Sequence, residues 1–256
     1  MVRIFHSFIL MFTLVLVVST NVQSAHAYAI AGKWPQPGPC GVDCPGTPVT
    51  LTYSYQNMFD GALKMPNGDP LPASLIRGSI EEAFQLWSSV APLHFVEVPD
   101  DGLGYGLSTQ YGQLRFRHVY INGPDPPPPA QPIAKAQAYF PSGDGYAGDV
   151  EFDHSDPWQE IGTLSSPDIL GAAIHEIGHT LGLNHTDDAN ANMYWIFHRF
   201  SGLGTGQLFA DDIAGIQAIY GVGVGSVTAL AVPEPASFLL GFAALGWLLT
   251  FRRTRR

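Results

Sequence analysis

Eleven residues in the second half of the chain, His175 to His185, read H-E-I-G-H-T-L-G-L-N-H. Residues four positions apart lie on one face of a helix, so His175 and His179 can bind the same metal ion. Glycine accepts backbone angles that other residues resist, so Gly182 lets the chain turn sharply and bring His185 back as a third ligand. Three imidazole ligands predict a zinc site whose fourth tetrahedral position is left for water.

Glu176 follows the first of these histidines, where its carboxylate can reach a metal-bound water without binding the metal. Such a carboxylate can act as the general base of a metal-dependent hydrolysis. A bare H-E-x-x-H motif also occurs by chance on amphipathic helices with two surface histidines. The longer H-E-x-x-H-x-x-G-x-x-H pattern sets five positions and favours the zinc site over that alternative.

The chain has 256 residues and a formal net charge of −10. Five of its 12 basic residues lie near the two ends, so the central part is more acidic still (Arg3, Arg252, Arg253, Arg255 and Arg256). Phosphate binding needs clustered Lys and Arg, so this composition argues against nucleic acid as a partner. The acidity fits either calcium binding by carboxylates or plain solubility. No pattern predicts an oligomer, and we expect a monomer.

Residues 1–27 have the features of a secretory signal peptide. Arg3 precedes an apolar run from Ile9 to Val18, and the small residues Ala25 and Ala27 end the segment. Cleavage is expected after Ala27. The alternative is a membrane anchor, although the apolar run is short for a membrane span.

The end of the chain, 233–256, resembles a sorting signal. The letters V-P-E-P-A-S from Val232 precede a short apolar stretch, Phe238 to Phe251, and a basic end. Physically this is a marginal membrane helix with a positive stop on the cytoplasmic side. The segment resembles the PEP-CTERM signal of Gram-negative bacteria that make exopolysaccharide. That resemblance implies cleavage by an exosortase, a transient membrane association and an envelope or extracellular location; a permanent tail anchor is the alternative. Residues 223–232 are expected to be a linker.

The segment 28–222 is long enough for one domain with a sizeable core. Runs of β-branched and aromatic residues predict strands at 49–55, 94–98, 114–121, 135–140 and 149–152. Apolar residues at helical spacing predict helices at 72–90, over the zinc motif and at 211–220. The zinc helix is expected to begin with Ser166 as its N-cap and Pro167 in its first position.

Four stretches of this domain resemble the matrixins, the metzincin family that includes the matrix metalloproteinases. They are L-T-Y from Leu51, I-E-E-A-F-Q-L-W-S-S-V-A-P-L-H-F-V-E-V from Ile80, the zinc motif, and D-D-I-A-G-I-Q-A-I-Y-G from Asp211. The resemblance implies an α+β, zincin-like catalytic domain, with a mixed twisted β-sheet, an active-site helix and a C-terminal helix. It also implies a secreted zinc endopeptidase acting on protein or peptide substrates, with Glu176 as the general base.

Met193 follows His185 by eight residues, which is the matrixin spacing of the Met-turn. The resemblance implies that this methionine forms an apolar floor beneath the zinc histidines, which is compatible with an ordinary core methionine. Trp195 stands where the family usually has proline. The wall of the pocket for the residue after the scissile bond is therefore expected to differ here.

Matrixins of the animal type hold a second, structural zinc and also calcium. Gln137 and Glu151 stand where the family has histidines for that zinc, and we expect no structural zinc here. Asp153 and Asp156 match the family's calcium carboxylates, although Asp156 replaces a glutamate. Calcium is expected at these two residues, with solvated loop acids as the alternative.

The two cysteines, Cys40 and Cys44, allow two interpretations. The letters P-C-G-V-D around Cys40 faintly resemble the P-R-C-G-x-P-D propeptide motif by which matrixins keep zinc occupied. Cys40 lies only 13 residues after Ala27, which is too short for a folded propeptide. Export would place both cysteines in an oxidising compartment, so we expect a Cys40–Cys44 disulfide that stabilises a short loop modestly.

The alternative to an enzyme is a non-catalytic surface module, in which metals only stabilise the fold and an acidic face binds extracellular polysaccharide. Glu176 favours the enzyme, because a binding module has no use for a carboxylate at that position. Other metzincin branches, the astacins and serralysins, are disfavoured by the closing helix and by the lack of glycine-aspartate calcium repeats.

Overall fold

The computed structural model describes residues 27–230, apart from 42, 124–134, 142–143, 164–166 and 197. The expected signal peptide, except for Ala27, and the expected sorting segment 233–256 lie outside the described residues. Within the described ranges, no helix is both long enough and apolar enough to cross a membrane.

A six-stranded mixed sheet forms the centre of the domain, with strand order β5-β6-β4-β2-β3-β8. Neighbouring strands run parallel except for the antiparallel pair β5–β6 at one edge. A separate antiparallel pair joins β1 to β7. The bounds are β1 Ala29–Ile30, β2 Val49–Tyr55, β3 Leu93–Glu97, β4 Leu114–Val119, β5 Ala136–Ala138, β6 Val150–Asp153, β7 Leu183–Asn184 and β8 Ser226–Thr228.

Three helices accompany the sheet: α1 Ala73–Ser88, α2 Ile169–Thr180 and α3 Ala210–Tyr220. Helix α1 buries its predicted apolar face against the sheet, where the ring of Phe84 lies 4.7 Å from Tyr53 and 4.2 Å from Phe95. Helix α2 packs on α1, and the buried Trp87 indole donates a hydrogen bond of 3.1 Å to the Ile174 carbonyl. The core therefore fixes α2 against the rest of the domain.

The start of α2 differs from the expected one. The helix begins at Ile169, and Asp168 is its N-cap, whose Oδ1 accepts a hydrogen bond of 2.6 Å from the Gly171 amide. The other Asp168 oxygen accepts from the Phe200 amide at 3.2 Å, so this cap also holds a distant segment. The prediction that Ser166 caps the helix with Pro167 in its first turn is wrong, because aspartate caps as well as serine and here has a tertiary partner.

Part of the expected linker is a strand of the central sheet. Residues 226–228 form β8, which pairs in parallel with β3 in a register that places His94 opposite Ser226. The prediction of a linker over 223–232 is therefore wrong for this part. A three-residue strand has too little periodicity to be recognised locally, and its partner strand lies far away in the chain.

Candidate metal centre

The three predicted histidine ligands converge on one point. His175 and His179 lie one turn apart on α2, and His185 directly follows β7. The Nε2 atoms are 3.1 Å apart for His175–His179 and 3.2 Å apart for each pair that includes His185. A tetrahedral zinc ion with ordinary Zn–N distances separates its nitrogen ligands by about 3.3 Å. Among the described residues, this is the one group of three or more His, Cys, Asp or Glu that could hold a metal.

Backbone carbonyls orient two of the imidazole rings. The carbonyl of Asn192 lies 2.6 Å from Nδ1 of His175, and the carbonyl of Leu183 lies 2.8 Å from Nδ1 of His179. A carbonyl can only accept, so we assign the proton of each neutral ring to Nδ1, which leaves the Nε2 lone pair directed at the centre. Burial lowers the pKa of His175 well below its usual value and that of His179 to about 4. The rings are thus held in the neutral form that binds metal, and they fit zinc.

The expected glycine turn at Gly182 brings His185 into place. Gly182 has φ +102°, and its amide donates to the His179 carbonyl at 2.9 Å. Its own carbonyl accepts from the Ala31 amide at 2.8 Å. A Cβ at Gly182 would overlap the carbonyl of Gly32, so the close approach of this N-terminal segment also requires glycine.

Glu176 is buried beside the first ligand. Burial raises the pKa of its carboxyl group to about 8. A divalent cation bound by the adjacent imidazoles would favour the ionised form and lower that pKa. The described part of the chain gives its carboxylate no hydrogen-bond or ion-pair partner, so the group is available to a water molecule.

Met193 lies directly under the helix that carries the ligands. Its side chain is buried, and a methyl group in place of the Gly178 hydrogen would overlap its sulfur atom. The Met193 carbonyl accepts from the Thr186 amide at 3.0 Å, just after the third ligand. This placement agrees with the apolar floor that the resemblance implies.

Two aspartates of α3, Asp211 and Asp212, connect this turn to the rest of the domain, a role that no local sequence pattern indicates. Both lie in the first turn of the helix, where negative charge is favourable. The carboxylate of Asp212 accepts hydrogen bonds from the amides of Asn192 at 2.9 Å and Met193 at 3.0 Å. Asp211 accepts from the Thr186 hydroxyl at 2.9 Å. The adjacent acids were visible, but their partners are set by tertiary packing.

Phe140 borders the centre, and Trp195 is exposed to solvent shortly after Met193. The ring of Phe140, after β5, lies 5.4 Å from the ring of His179 in an edge-on arrangement. Trp195 is 50% exposed, and its ring lies 5.7 Å from that of Tyr194. A half-exposed indole two residues after the buried Met193 is consistent with a surface that contacts a ligand.

The residues at the expected calcium site do not fit calcium well. Asp153 accepts hydrogen bonds from the Ser155 hydroxyl at 2.6 Å and from the Asn122 amide at 3.0 Å. The buried Asp156 forms an ion pair of 3.2 Å with the ammonium group of Lys135. Calcium needs six to eight oxygen ligands, and a lysine beside one of two carboxylates competes with it electrostatically.

The two positions where matrixins hold structural zinc are used differently here. Glu151 on β6 lies opposite Arg117 on β4 and opposite Gln137 on β5. Its carboxylate accepts from Nε of Arg117 at 2.7 Å and from the Gln137 amide group. A hydrogen-bonded ion pair therefore links the three strands at this edge of the sheet.

The expected disulfide is present between Cys40 and Cys44, whose Cα atoms are 5.5 Å apart. No free cysteine occurs in the part of the chain that the structure describes. Neither thiol is thus available as a ligand of the histidine centre.

A mixed sheet, a helix with two histidines and an adjacent glutamate, and a third histidine after a glycine turn together define a metzincin-type metallopeptidase architecture. The family model for matrixin, a peptidase family, matches residues 62–221. The chain therefore belongs to the matrixin family.

Three relatives illustrate the similarity. Matrix metalloproteinase-16 of Homo sapiens is 36% identical over 176 residues, which cover 67% of this chain and 26% of the relative. Interstitial collagenase of Oryctolagus cuniculus is 40% identical over 181 residues, 69% of this chain and 34% of the relative. Stromelysin-1 of Mus musculus is 32% identical over 169 residues, 66% and 33% respectively. The chain thus matches about a quarter to a third of the length of these relatives.

Proposed function

We propose that this protein is an exported, zinc-dependent endopeptidase that hydrolyses internal bonds of proteins or peptides. One observation carries the proposal: the Nε2 atoms of three histidines converge next to a buried glutamate that has no protein partner among the described residues. Membership of the matrixin family supports it.

His175, His179 and His185 would hold the zinc ion. When bound, zinc supplies Lewis acidity that polarises water and the scissile carbonyl group. Glu176 accepts a proton from the attacking water as the new C–O bond forms. The same carboxyl group then delivers that proton to the leaving nitrogen as the C–N bond breaks, so Glu176 ends the cycle ionised as it began.

The test is cleavage of an unfolded, non-specific protein substrate by the purified, zinc-loaded protein. Glu176→Gln keeps the shape of the side chain but cannot accept the proton, so we expect normal zinc content and a loss of about 10²–10⁴-fold in turnover. Glu160→Gln, which removes the same charge at an exposed position, is the matched control and should keep full activity.

A zinc chelator should abolish cleavage, and added zinc should restore it. Full activity of zinc-loaded Glu176→Gln would show that Glu176 is not the general base. A folded, zinc-loaded wild-type protein that cleaves no substrate would instead support the non-catalytic binding module.

We further propose export from a Gram-negative bacterium, with signal-peptide cleavage after Ala27 and removal of the segment 233–256 by an exosortase. Oδ1 of the buried Asp211 accepts hydrogen bonds from the amides of Ala27 at 2.7 Å and Tyr28 at 3.1 Å. Cleavage after Ala27 would remove the first of these and turn the Tyr28 nitrogen into an ammonium group, which the carboxylate would stabilise. Mass spectrometry of the exported protein tests both ends, and an intact N-terminus or C-terminal segment would contradict the corresponding cleavage.

Calcium binding by Asp153 and Asp156 stays a prediction of the resemblance, and the Lys135–Asp156 ion pair disfavours it. A thermal denaturation series with increasing Ca²⁺ tests it. A midpoint that rises with Ca²⁺, and does not rise in Asp153→Asn, would support the site.

A further inference from the structure

Two histidines outside the metal centre point their ring nitrogens at each other. His118 is the fifth residue of β4, and His154 follows the last residue of the neighbouring strand β6. The amide of His154 donates to the Val119 carbonyl at 3.0 Å, which continues the pairing of these strands beyond β6. The two Nδ1 atoms are 2.9 Å apart.

His118 is held rigidly for this contact. The Asn57 side chain accepts from the His118 amide at 2.9 Å and donates to the His118 carbonyl at 3.1 Å. The carboxylate of Asp60 lies 2.9 Å from Nε2 of the His118 ring. A carboxylate accepts at Nε2, so we assign the proton of the neutral ring to that atom, and the lone pair of Nδ1 faces His154.

This arrangement has the parts of a metal site. A metal-binding histidine usually donates its second ring N–H to a carboxylate, which is the relation of His118 to Asp60. The His154 ring presents Nδ1 to the same point once its own proton sits on Nε2. His154 and Asp60 are both partly exposed, so an ion and its water ligands can reach the pair.

We propose that His118 and His154 form a second metal site, which takes a divalent late transition metal such as Cu²⁺ or Ni²⁺. An ion about 2.05 Å from two nitrogens that are 2.9 Å apart would have an N–metal–N angle of roughly 90°. That angle suits square-planar or octahedral coordination. Solvent supplies the remaining ligands.

The bound ion would cross-link two segments, the end of β4 and the turn after β6, and His118 is itself hydrogen-bonded to the turn with Asn57 and Asp60. Any ion that binds only the folded state stabilises it. The second site is separate from the peptide-bond chemistry, so this proposal does not depend on the proposed peptidase activity.

The experiment titrates Cu²⁺ into the untagged, zinc-loaded protein at pH 7.5. Zinc retention is measured in the same samples, and electron paramagnetic resonance reports nitrogen ligands of copper. We expect one Cu²⁺ per chain with nitrogen hyperfine structure, no loss of zinc, and a higher thermal midpoint.

His154→Gln should abolish this equivalent of copper. Asp60→Asn should weaken copper binding by about 10–100-fold, because it removes the carboxylate that orients His118. The control is His94→Gln, since His94 is a partly exposed histidine whose Nδ1 lies 2.8 Å from the Ser226 hydroxyl. It should bind copper like the wild type.

The proposal is overturned if the zinc-loaded protein takes up no copper, or if copper displaces zinc instead. It is also overturned if folded His154→Gln, checked by its unfolding midpoint, binds copper as tightly as the wild type. Any of these results would leave the His118–His154 contact as a hydrogen bond from one Nδ1–H to the other Nδ1.

Discussion

At the level of single residues, the site depends on glycines whose surroundings allow no side chain. Gly182 combines a positive φ with backbone contact to Gly32, and Gly178 leaves room for the sulfur of Met193. The first requirement was visible in the motif, because a turn after a helix calls for a positive φ. The second was not, because the atom that fills the space comes from another segment.

Gly182→Ala is expected to destabilise the protein by about 1–3 kcal/mol and to weaken zinc binding, because strain and overlap displace His185. Gly204→Ala is the matched control, since Gly204 also has a positive φ but no atom near its Cβ position. Urea unfolding and zinc competition with a chelator measure both effects. Equal losses in the two variants would show that the overlap with Gly32 has no effect.

A second prediction concerns Asp149, which is buried near Arg117 at 3.5 Å. Burial raises the pKa of its carboxyl group from 3.8 to about 6. Between these two values the folded state binds a proton that the unfolded state has lost, so this group makes stability fall as the pH rises toward 6.

The stabilisation of Asp149→Asn over the wild type should therefore be larger at pH 7.5 than at pH 4. The difference between the two pH values should be up to about 3 kcal/mol. Urea unfolding at the two pH values measures the difference. Asp187→Asn, at an exposed position, controls for the loss of a negative charge. A stabilisation of Asp149→Asn that is the same at both pH values would contradict the prediction.

At the level of elements, the structure shows that α3 supports the metal centre without supplying a ligand. Asp212 at its start holds the amides of Asn192 and Met193, and the Asn192 carbonyl orients the ring of His175. Asp212 of α3 is thus connected to His175, the first ligand, through the segment that contains Asn192 and Met193.

Asp212→Ala should therefore lower zinc affinity by about 10–100-fold, the usual effect of losing support for a ligand. It should also cost about 1–3 kcal/mol of stability, because two buried amides lose their acceptor. Asp187→Ala, two residues after His185 and exposed, is the control. Zinc affinity in Asp212→Ala equal to that of the wild type would rule out this support.

At the level of the whole molecule, the third zinc ligand lies outside the helix that carries the first two. Helix α2 packs on α1 and contacts β7, the strand just before His185, and β7 pairs with the two-residue strand β1. A bound ion would add a link between α2 and His185.

Zinc removal should consequently lower the unfolding midpoint, and we expect zinc at 1,000 times its dissociation constant to contribute about 4 kcal/mol. Calorimetry of the Glu176→Gln protein, which avoids self-cleavage, measures this before and after chelation. Restoration by zinc but not by magnesium is expected. A midpoint that does not change with zinc would mean that zinc does not bind the folded protein in preference to the unfolded chain.

Three of the sequence-based expectations depended only on local patterns and agree with the structure. They are the strand at 49–55, which is β2, the apolar face of α1, and the histidines of α2. Each pattern repeats within a few residues, at the period of its own strand or helix. The expected start of α2 and the linker were wrong because their competing partners, Phe200 and β3, lie elsewhere in the chain.

The spacing of one helix and one glycine turn was sufficient to predict the metal ligands, because those distances follow from local backbone geometry. The matrixin resemblance needed three further stretches, among them the closing helix. Only the folded chain shows four other contacts: the donors that bind Asp211 and Asp212, the contact of Met193 with Gly178, the Lys135–Asp156 pair, and the contact of His118 with His154. Each of them joins residues from different elements, and the relative position of elements is set by packing of the whole core rather than by any local pattern.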